Sequence, residues 1–187
     1  MDLNAQATPL PNDEDALVAE AQRDIAAFGP LFDAYAPRVY RYLLQRTGTI
    51  AAAEDITSQV FADALESLGR YRPRRHGSFG GWLFTIARRR CADYFRSPNP
   101  VSLANQDPMD PAAWPLDEVM LRDDLERLAD ILKRLDESDL ELLRLRFSAD
   151  LSYRQIGEVI GKSEPATKMS VLRLVQRLKD LWEVENG

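Results

Sequence analysis

Two stretches of this 187-residue chain combine residue types that suit contact with nucleic acid. From Arg70 to Arg96, eight arginines (Arg70, Arg72, Arg74, Arg75, Arg88, Arg89, Arg90 and Arg96) stand against one acid, Asp93, a local charge of +7. Tyr71, Phe79, Trp82, Tyr94 and Phe95 are interleaved with them. Guanidinium groups hold backbone phosphates while aromatic rings accept unstacked bases, a pairing suited to single-stranded or melted DNA. Trp82, Leu83, Ile86 and Phe95 also follow a helical core pattern, which leaves Tyr71 and Phe79, in the loop, better placed to meet a base.

The second stretch runs from Leu151 to Lys179. Ser152 followed three residues later by Gln155 is a capping box, and it starts a short helix with Ile156, Val159 and Ile160 inward. Gly161 then supplies a left-handed turn. Ser163 can cap the next helix, and Pro165 fits its first turn, where a missing N–H costs nothing. Val171, Leu174, Val175 and Leu178 face inward along that helix. Two capped helices joined by a glycine turn, the second basic outside, form a helix-turn-helix whose second helix enters a major groove. Arg154, Lys162, Ser163, Glu164, Ala166, Thr167, Lys168 and Arg173 are the candidate contacts to the duplex.

Elements that could position these groups follow from the apolar spacing. Phe28, Leu31, Phe32, Tyr35, Val39 and Leu43 recur at helical steps, with Pro37 expected to kink or interrupt the run. Thr47-Gly48 breaks it. A second helix buries Ala53, Ile56, Val60, Ala64 and Leu68 and carries Asp55, Gln59, Asp63 and Glu66 on the opposite face. Gly69 should end it, and Pro73, Gly77, Gly80 and Gly81 mark the arginine-bearing loop. The next helix is expected from Phe79 to Phe95. Leu121, Leu125, Leu128, Leu132 and Leu135 open a further helical group, and Ser138 with Glu141 reads as a second capping box that starts a helix at Asp139 with Leu140, Leu143 and Phe147 inward. No strand pattern appears. The fold expected is all-α: a tail over residues 1–22, a helical domain over 23–97, a Pro-rich acidic linker over 98–119 and a helix-turn-helix domain over 120–184.

Composition narrows the function. With one cysteine, Cys91, and one histidine, His76, neither a disulfide framework nor a His/Cys metal site can form. Cys91 reads as a small buried hydrophobe and His76 as a loop residue. There is no phosphate-binding loop or acid/base cluster, so neither an enzyme nor a cofactor or small-molecule substrate is expected. The apolar runs are too short to span a bilayer and the N-terminus lacks a signal pattern, which places the chain in the cytoplasm without membrane insertion. The net charge of −6 argues against a nucleic-acid binder, yet the charge is segregated by segment.

Taken together, these segments resemble the bacterial RNA polymerase sigma factors of the extracytoplasmic-function (ECF) group. The residues that carry the resemblance are Phe32-Asp33-Ala34-Tyr35, Ala53-Glu54-Asp55-Ile56-Thr57-Ser58-Gln59-Val60-Phe61 and Gly81-Trp82-Leu83-Phe84-Thr85-Ile86-Ala87-Arg88, then Leu151-Ser152-Tyr153-Arg154-Gln155-Ile156 and Gly161-Lys162-Ser163-Glu164. It implies that the first domain is sigma region 2, a helical bundle in which Asp55, Gln59, Phe61 and Asp63 dock on core RNA polymerase. It implies that Arg70, Tyr71, Arg72, Arg74, Arg75, Phe79, Trp82, Arg88, Arg89 and Arg96 hold the melted minus-ten element of promoter DNA. The second domain would be sigma region 4, reading the minus-thirty-five element, and the linker would thread the polymerase cleft. An anti-sigma factor is the further partner implied. Pro165, Ala166 and Thr167 stand where Gly, Thr and Val are usual, Ser170 where Arg is common and Arg89 where Asn is usual, which bears on the sequence read and the phosphate contacts. The competing reading is a dimeric helix-turn-helix repressor or activator, which would bind duplex DNA tightly without polymerase. A helical interaction protein with no DNA role is a second rival.

Overall fold

The computed structural model describes residues 14–73, 78–97 and 122–186. The expected linker, Arg74, Arg75, His76 and most of the N-terminal tail lie outside them.

Eight α-helices follow one another among the described residues, with no strand: α1 (Glu14–Ala21), α2 (Gly29–Thr47), α3 (Ile50–Leu68), α4 (Phe79–Arg96), α5 (Arg122–Lys133), α6 (Glu137–Leu143), α7 (Tyr153–Ile160) and α8 (Glu164–Asn186). The stripe expected on α3 is buried throughout: Ala53, Ile56, Val60, Ala64 and Leu68 face α2 and α4. Pro37 does not interrupt α2, which runs from Gly29 to Thr47 with the proline inside it. The one backbone hydrogen bond lost at a proline is offset here by the burial of Tyr35, Val39, Tyr42 and Leu43 on either side. Gly48 closes α2 at φ 68°, its N–H donating to the Leu44 carbonyl.

The C-terminal helices begin differently from expectation. Asp136, not Ser138, caps α6: its carboxylate accepts from the Asp139 N–H at 2.9 Å and from the Ser138 hydroxyl at 2.7 Å. The sequence allows either cap, and Asp136 takes the position because Glu141, the expected partner of Ser138, is buried and turned towards α2. After α6 a single π-helical turn, Arg144–Ser148, replaces the regular helix. The wider turn rotates Phe147 outward, so this residue is exposed rather than inward as its spacing suggested.

One apolar core runs through both groups of helices. α7 lies against α4, and the π-helical turn lies against α2. Side chains of α7 and α2 close on the start of α4, where a Cβ on Gly80 would sit 2.5 Å from Gln155 Nε2 and 2.7 Å from the Tyr35 hydroxyl.

Candidate nucleic-acid interface

The helix-turn-helix forms as its capping residues require. Ser152 Oγ accepts from the Gln155 N–H at 3.2 Å, and Gln155 Oε1 accepts from the Ser152 N–H at 3.0 Å. Gly161 turns the chain at φ 73°. Ser163 Oγ faces the Ala166 N–H at 3.4 Å at the start of α8. Lys162 and Ser163 are exposed in the turn before α8 and Glu164, Ala166 and Lys168 on its first turns, with Arg173 exposed further along. Glu164 lies at the positive end of the helix dipole, and Lys162 and Lys168 flank it. Arg154 is exposed on α7 and pairs with Glu158 at 3.4 Å.

Thr167 is not part of this surface. It is fully buried, its hydroxyl donates to the Ser163 carbonyl at 3.0 Å, and it packs on Gly157. A Cβ on Gly157 would lie 2.6 Å from the Lys162 carbonyl oxygen and 3.1 Å from Thr167 Oγ1, so glycine is what lets α7 and α8 close on each other. Gly157 carried no signal in the sequence reading, because a mid-helix glycine looks the same whether or not a neighbour approaches it.

In the arginine-rich stretch the aromatic residues divide. Phe79 is fully buried between Phe28 and Tyr35, with ring centroids at 6.2 and 5.5 Å, so it is a core residue and does not meet a base. Tyr71 is also buried, its ring tilted against Trp82 with centroids at 4.8 Å; its hydroxyl has no hydrogen-bond partner, and burial, then the nearby Asp15 and Glu14, push it up to about 12. Trp82, Tyr94 and Phe95 are half-buried, and of these Trp82 borders a depression. With Ile86, Arg70, Arg89, Asp63, Glu66 and Ser67 it lines an open depression of about 310 Å³ between α3 and α4. An indole wall beside two exposed guanidinium groups can accept a planar base and hold its phosphate.

The remaining arginines are placed unevenly. Arg70 is free of the core, and Arg72 donates back to the Gly69 and Tyr71 carbonyls. Arg96 pairs with Asp93. Arg88 reaches across to the C-terminal helices, donating to the Val159 carbonyl at 3.3 Å and standing 3.6 Å from Glu141. Of the expected docking residues, Asp55 and Gln59 are exposed and bonded to each other at 2.8 Å. Phe61 is not on that face: it is buried against Phe28 and Phe32. Asp63 is held by Arg90 and Arg89 of α4, and the Arg90 hydrogen bond keeps its carboxyl below the usual range.

A polar cluster between the two groups of helices escaped the sequence reading. Buried Glu141 accepts from the Tyr42 hydroxyl at 2.8 Å and from Arg46 at 2.6 Å. Burial, then the Glu141 carboxylate, hold the Tyr42 hydroxyl well above its ordinary range, so it stays a donor. Arg38 donates to the Asp150 carbonyl at 3.1 Å and lies 3.4 Å from its carboxylate. Glu158 accepts from the N–H and the hydroxyl of Ser78, at 3.0 and 2.7 Å, at the start of α4. The available signal was the four-residue spacing of Arg38, Tyr42 and Arg46, which puts all three on one face of α2.

The Sigma-70 region 2 family matches residues 31–99. The ECF RNA polymerase sigma factor BldN of Streptomyces coelicolor is 38% identical over 170 residues, covering 88% of this chain; the chain spans 64% of that protein's length. The RNA polymerase sigma factor CarQ of Myxococcus xanthus is 31% identical over 159 residues, covering 83% of this chain and 88% of that protein. The ECF RNA polymerase sigma factor SigK of Mycolicibacterium vanbaalenii is 31% identical over 152 residues, covering 77% and 76%. Among solved structures, CnrH in complex with the cytosolic domain of CnrY superposes with a TM-score of 0.64 at 22% identity, over 92% of this chain and 99% of that one, a likeness of fold.

Proposed function

The chain belongs to the ECF RNA polymerase sigma factors, and from that membership we propose that it directs promoter-specific initiation by docking on core RNA polymerase and reading two DNA elements. The observation that carries the reading is one chain holding both parts: region 2 over residues 31–99 and, beyond it, the helix-turn-helix with Lys162 and Ser163 exposed in its turn and Glu164, Ala166 and Lys168 on the leading turns of α8. A helix presented this way meets base edges with its first turns and phosphates with its flanking lysines.

In this proposal Asp55 and Gln59, exposed on α3, are the polymerase-docking face. Trp82 receives an unstacked base of the melted element, with Arg70 and Arg89 on the strand beside it. Phe61, Phe79 and Thr167 act through packing alone. The chain is a recognition subunit and works in the cytoplasm, where the polymerase performs the chemistry. Among the described residues no helix is long and apolar enough to cross a membrane. The CnrH structure holds the cytosolic domain of CnrY, and an anti-sigma factor is proposed as a protein partner of this chain.

The test is transcription in vitro from a promoter library with core polymerase. Wild type directs initiation at a defined sequence pair, Asp55→Ala loses polymerase in a pull-down, and Lys168→Ala still binds polymerase but initiates poorly. Random or absent initiation by the wild type sinks the proposal.

A further inference from the structure

Resting on the reading above, we propose that Gln22, just after α1, is a positioning residue for capture of the melted element: its amide clamps the turn after α3 and so sets Arg70 against Trp82.

The two donor hydrogens of one amide reach the two ends of that turn. Gln22 Nε2 donates to the Leu68 carbonyl at 2.9 Å and to the Tyr71 carbonyl at 2.7 Å, across 46 and 49 residues of sequence. Leu68 is the last residue of α3, and Gly69 beyond it is right-handed at φ -61°. The helix therefore lacks the left-handed glycine closure seen at Gly48 and Gly161, and an outside donor takes part of its place. Between the two clamped carbonyls stand Gly69 and Arg70, and Arg70 lines the depression beside Trp82. At the far end of the turn the Tyr71 ring leans on Trp82 at 4.8 Å and on Phe79 at 6.0 Å.

Other hydrogen bonds of the turn stay within it. The Arg70 N–H donates to the Ser67 carbonyl at 3.0 Å, the Tyr71 N–H to the Leu68 carbonyl at 3.0 Å, and the Arg72 guanidinium to the Gly69 and Tyr71 carbonyls at 2.9 and 2.8 Å. Bonds of this kind shape the turn but travel with it. The Gln22 amide instead ties it to a separate element that is itself anchored. α1 buries Val18 and Ala21, its first residue Glu14 accepts from the Tyr35 hydroxyl, and the Gln22 N–H donates to the Val18 carbonyl at 2.9 Å. Stacking a base on the indole while a guanidinium meets its phosphate requires both groups at a fixed separation, held to about 0.5 Å by supporting bonds of this sort. Removing the amide orphans neither carbonyl, because the Tyr71 N–H still serves Leu68 and Arg72 still serves Tyr71. Loss of the clamp is thus separable from loss of the fold.

The test uses the full chain with core polymerase and fluorescent single strands carrying the downstream element that the wild type selects, with each base in turn replaced by an abasic site. Anisotropy gives the affinity lost at each position. The wild type should lose most at one position, the base received by Trp82. Gln22→Met keeps the side-chain length and removes both donors. It should leave the urea midpoint and polymerase binding unchanged, weaken the intact strand about tenfold, within what stacking of one base contributes, and erase the abasic penalty at that one position. Adding Gln22→Met to Trp82→Ala should cost nothing further, since the amide acts through the ring's setting. An abasic profile identical to wild type overturns the proposal. So does a loss spread evenly over all positions, or one that tracks a fallen urea midpoint, because either makes Gln22 a general support of the fold. Full additivity with Trp82→Ala overturns it as well. A wild type with no sensitive position in the strand sinks base capture by Trp82 itself, whereas a sensitive position that Gln22→Met leaves intact removes the clamp alone.

Discussion

Gly157→Ala tests whether the helix-turn-helix is set by a backbone contact rather than by its exposed residues. The added Cβ would stand 2.6 Å from the Lys162 carbonyl oxygen and 3.1 Å from Thr167 Oγ1. Lys162 lies in the turn, where its neighbour Gly161 is held at φ 73° and cannot slide freely. Opposed to this is helix propensity, which favours alanine over glycine by about 1 kcal/mol in a helix interior. Overpacking against fixed backbone costs about 1–3 kcal/mol, so the expected net effect is a loss of up to about 2 kcal/mol. Because the shift falls at the start of α8, upstream-element binding should weaken by more than the stability loss accounts for. Urea unfolding measures the first effect, and binding of the C-terminal helix-turn-helix to upstream-element duplex, under conditions where both proteins are fully folded, measures the second. A variant at least as stable as wild type, reading the same element with the same affinity, would refute the reasoning that Gly157 spaces the two helices.

Phe61→Ala should cost about 3–5 kcal/mol in urea unfolding, as a core truncation does, whereas Asp55→Ala should leave the unfolding midpoint within the scatter of surface substitutions. Lys168→Ala should weaken binding to all duplexes alike and lower the salt slope by about 1, while Thr167→Val should leave base preference unchanged and lower the melting temperature. For Asp63 the folded carboxyl is held low, chiefly by its hydrogen bond to Arg90. Its contribution to stability is therefore present above the ordinary carboxylate range and is lost as pH falls through the depressed folded value. Asp63→Asn should flatten the acid limb of a melting-temperature profile below about pH 4; an unchanged acid limb would show that the pair is not formed in solution.

Local rules were readable from the chain wherever a residue's role is decided within one or two turns. The Ser152 and Gln155 capping box, the αL glycine at 161 and the buried stripe of α3 all belong to this kind. Errors arose where two local rules competed. Asp136 and Ser138 can each cap α6, and the choice was settled by Glu141 turning to Tyr42, 99 residues away in sequence. Phe79 looked available for a base because it sits at the end of a loop, yet three rings from α2, the preceding turn and the loop enclose it.

Periodicity and capping chemistry determined by themselves that this chain is helical, that it ends in a helix-turn-helix, and which of its faces are polar, because these depend on spacings of three and four residues. Only the tertiary structure decided which polar and aromatic residues remain available. Phe61, Phe79 and Thr167 were withdrawn into the core, and Arg38, Arg46 and Arg88 were committed to oxygens of the C-terminal helices. The physical reason is that availability depends on what approaches from far along the chain, and a glycine at 81 or 157 records that approach without naming the partner.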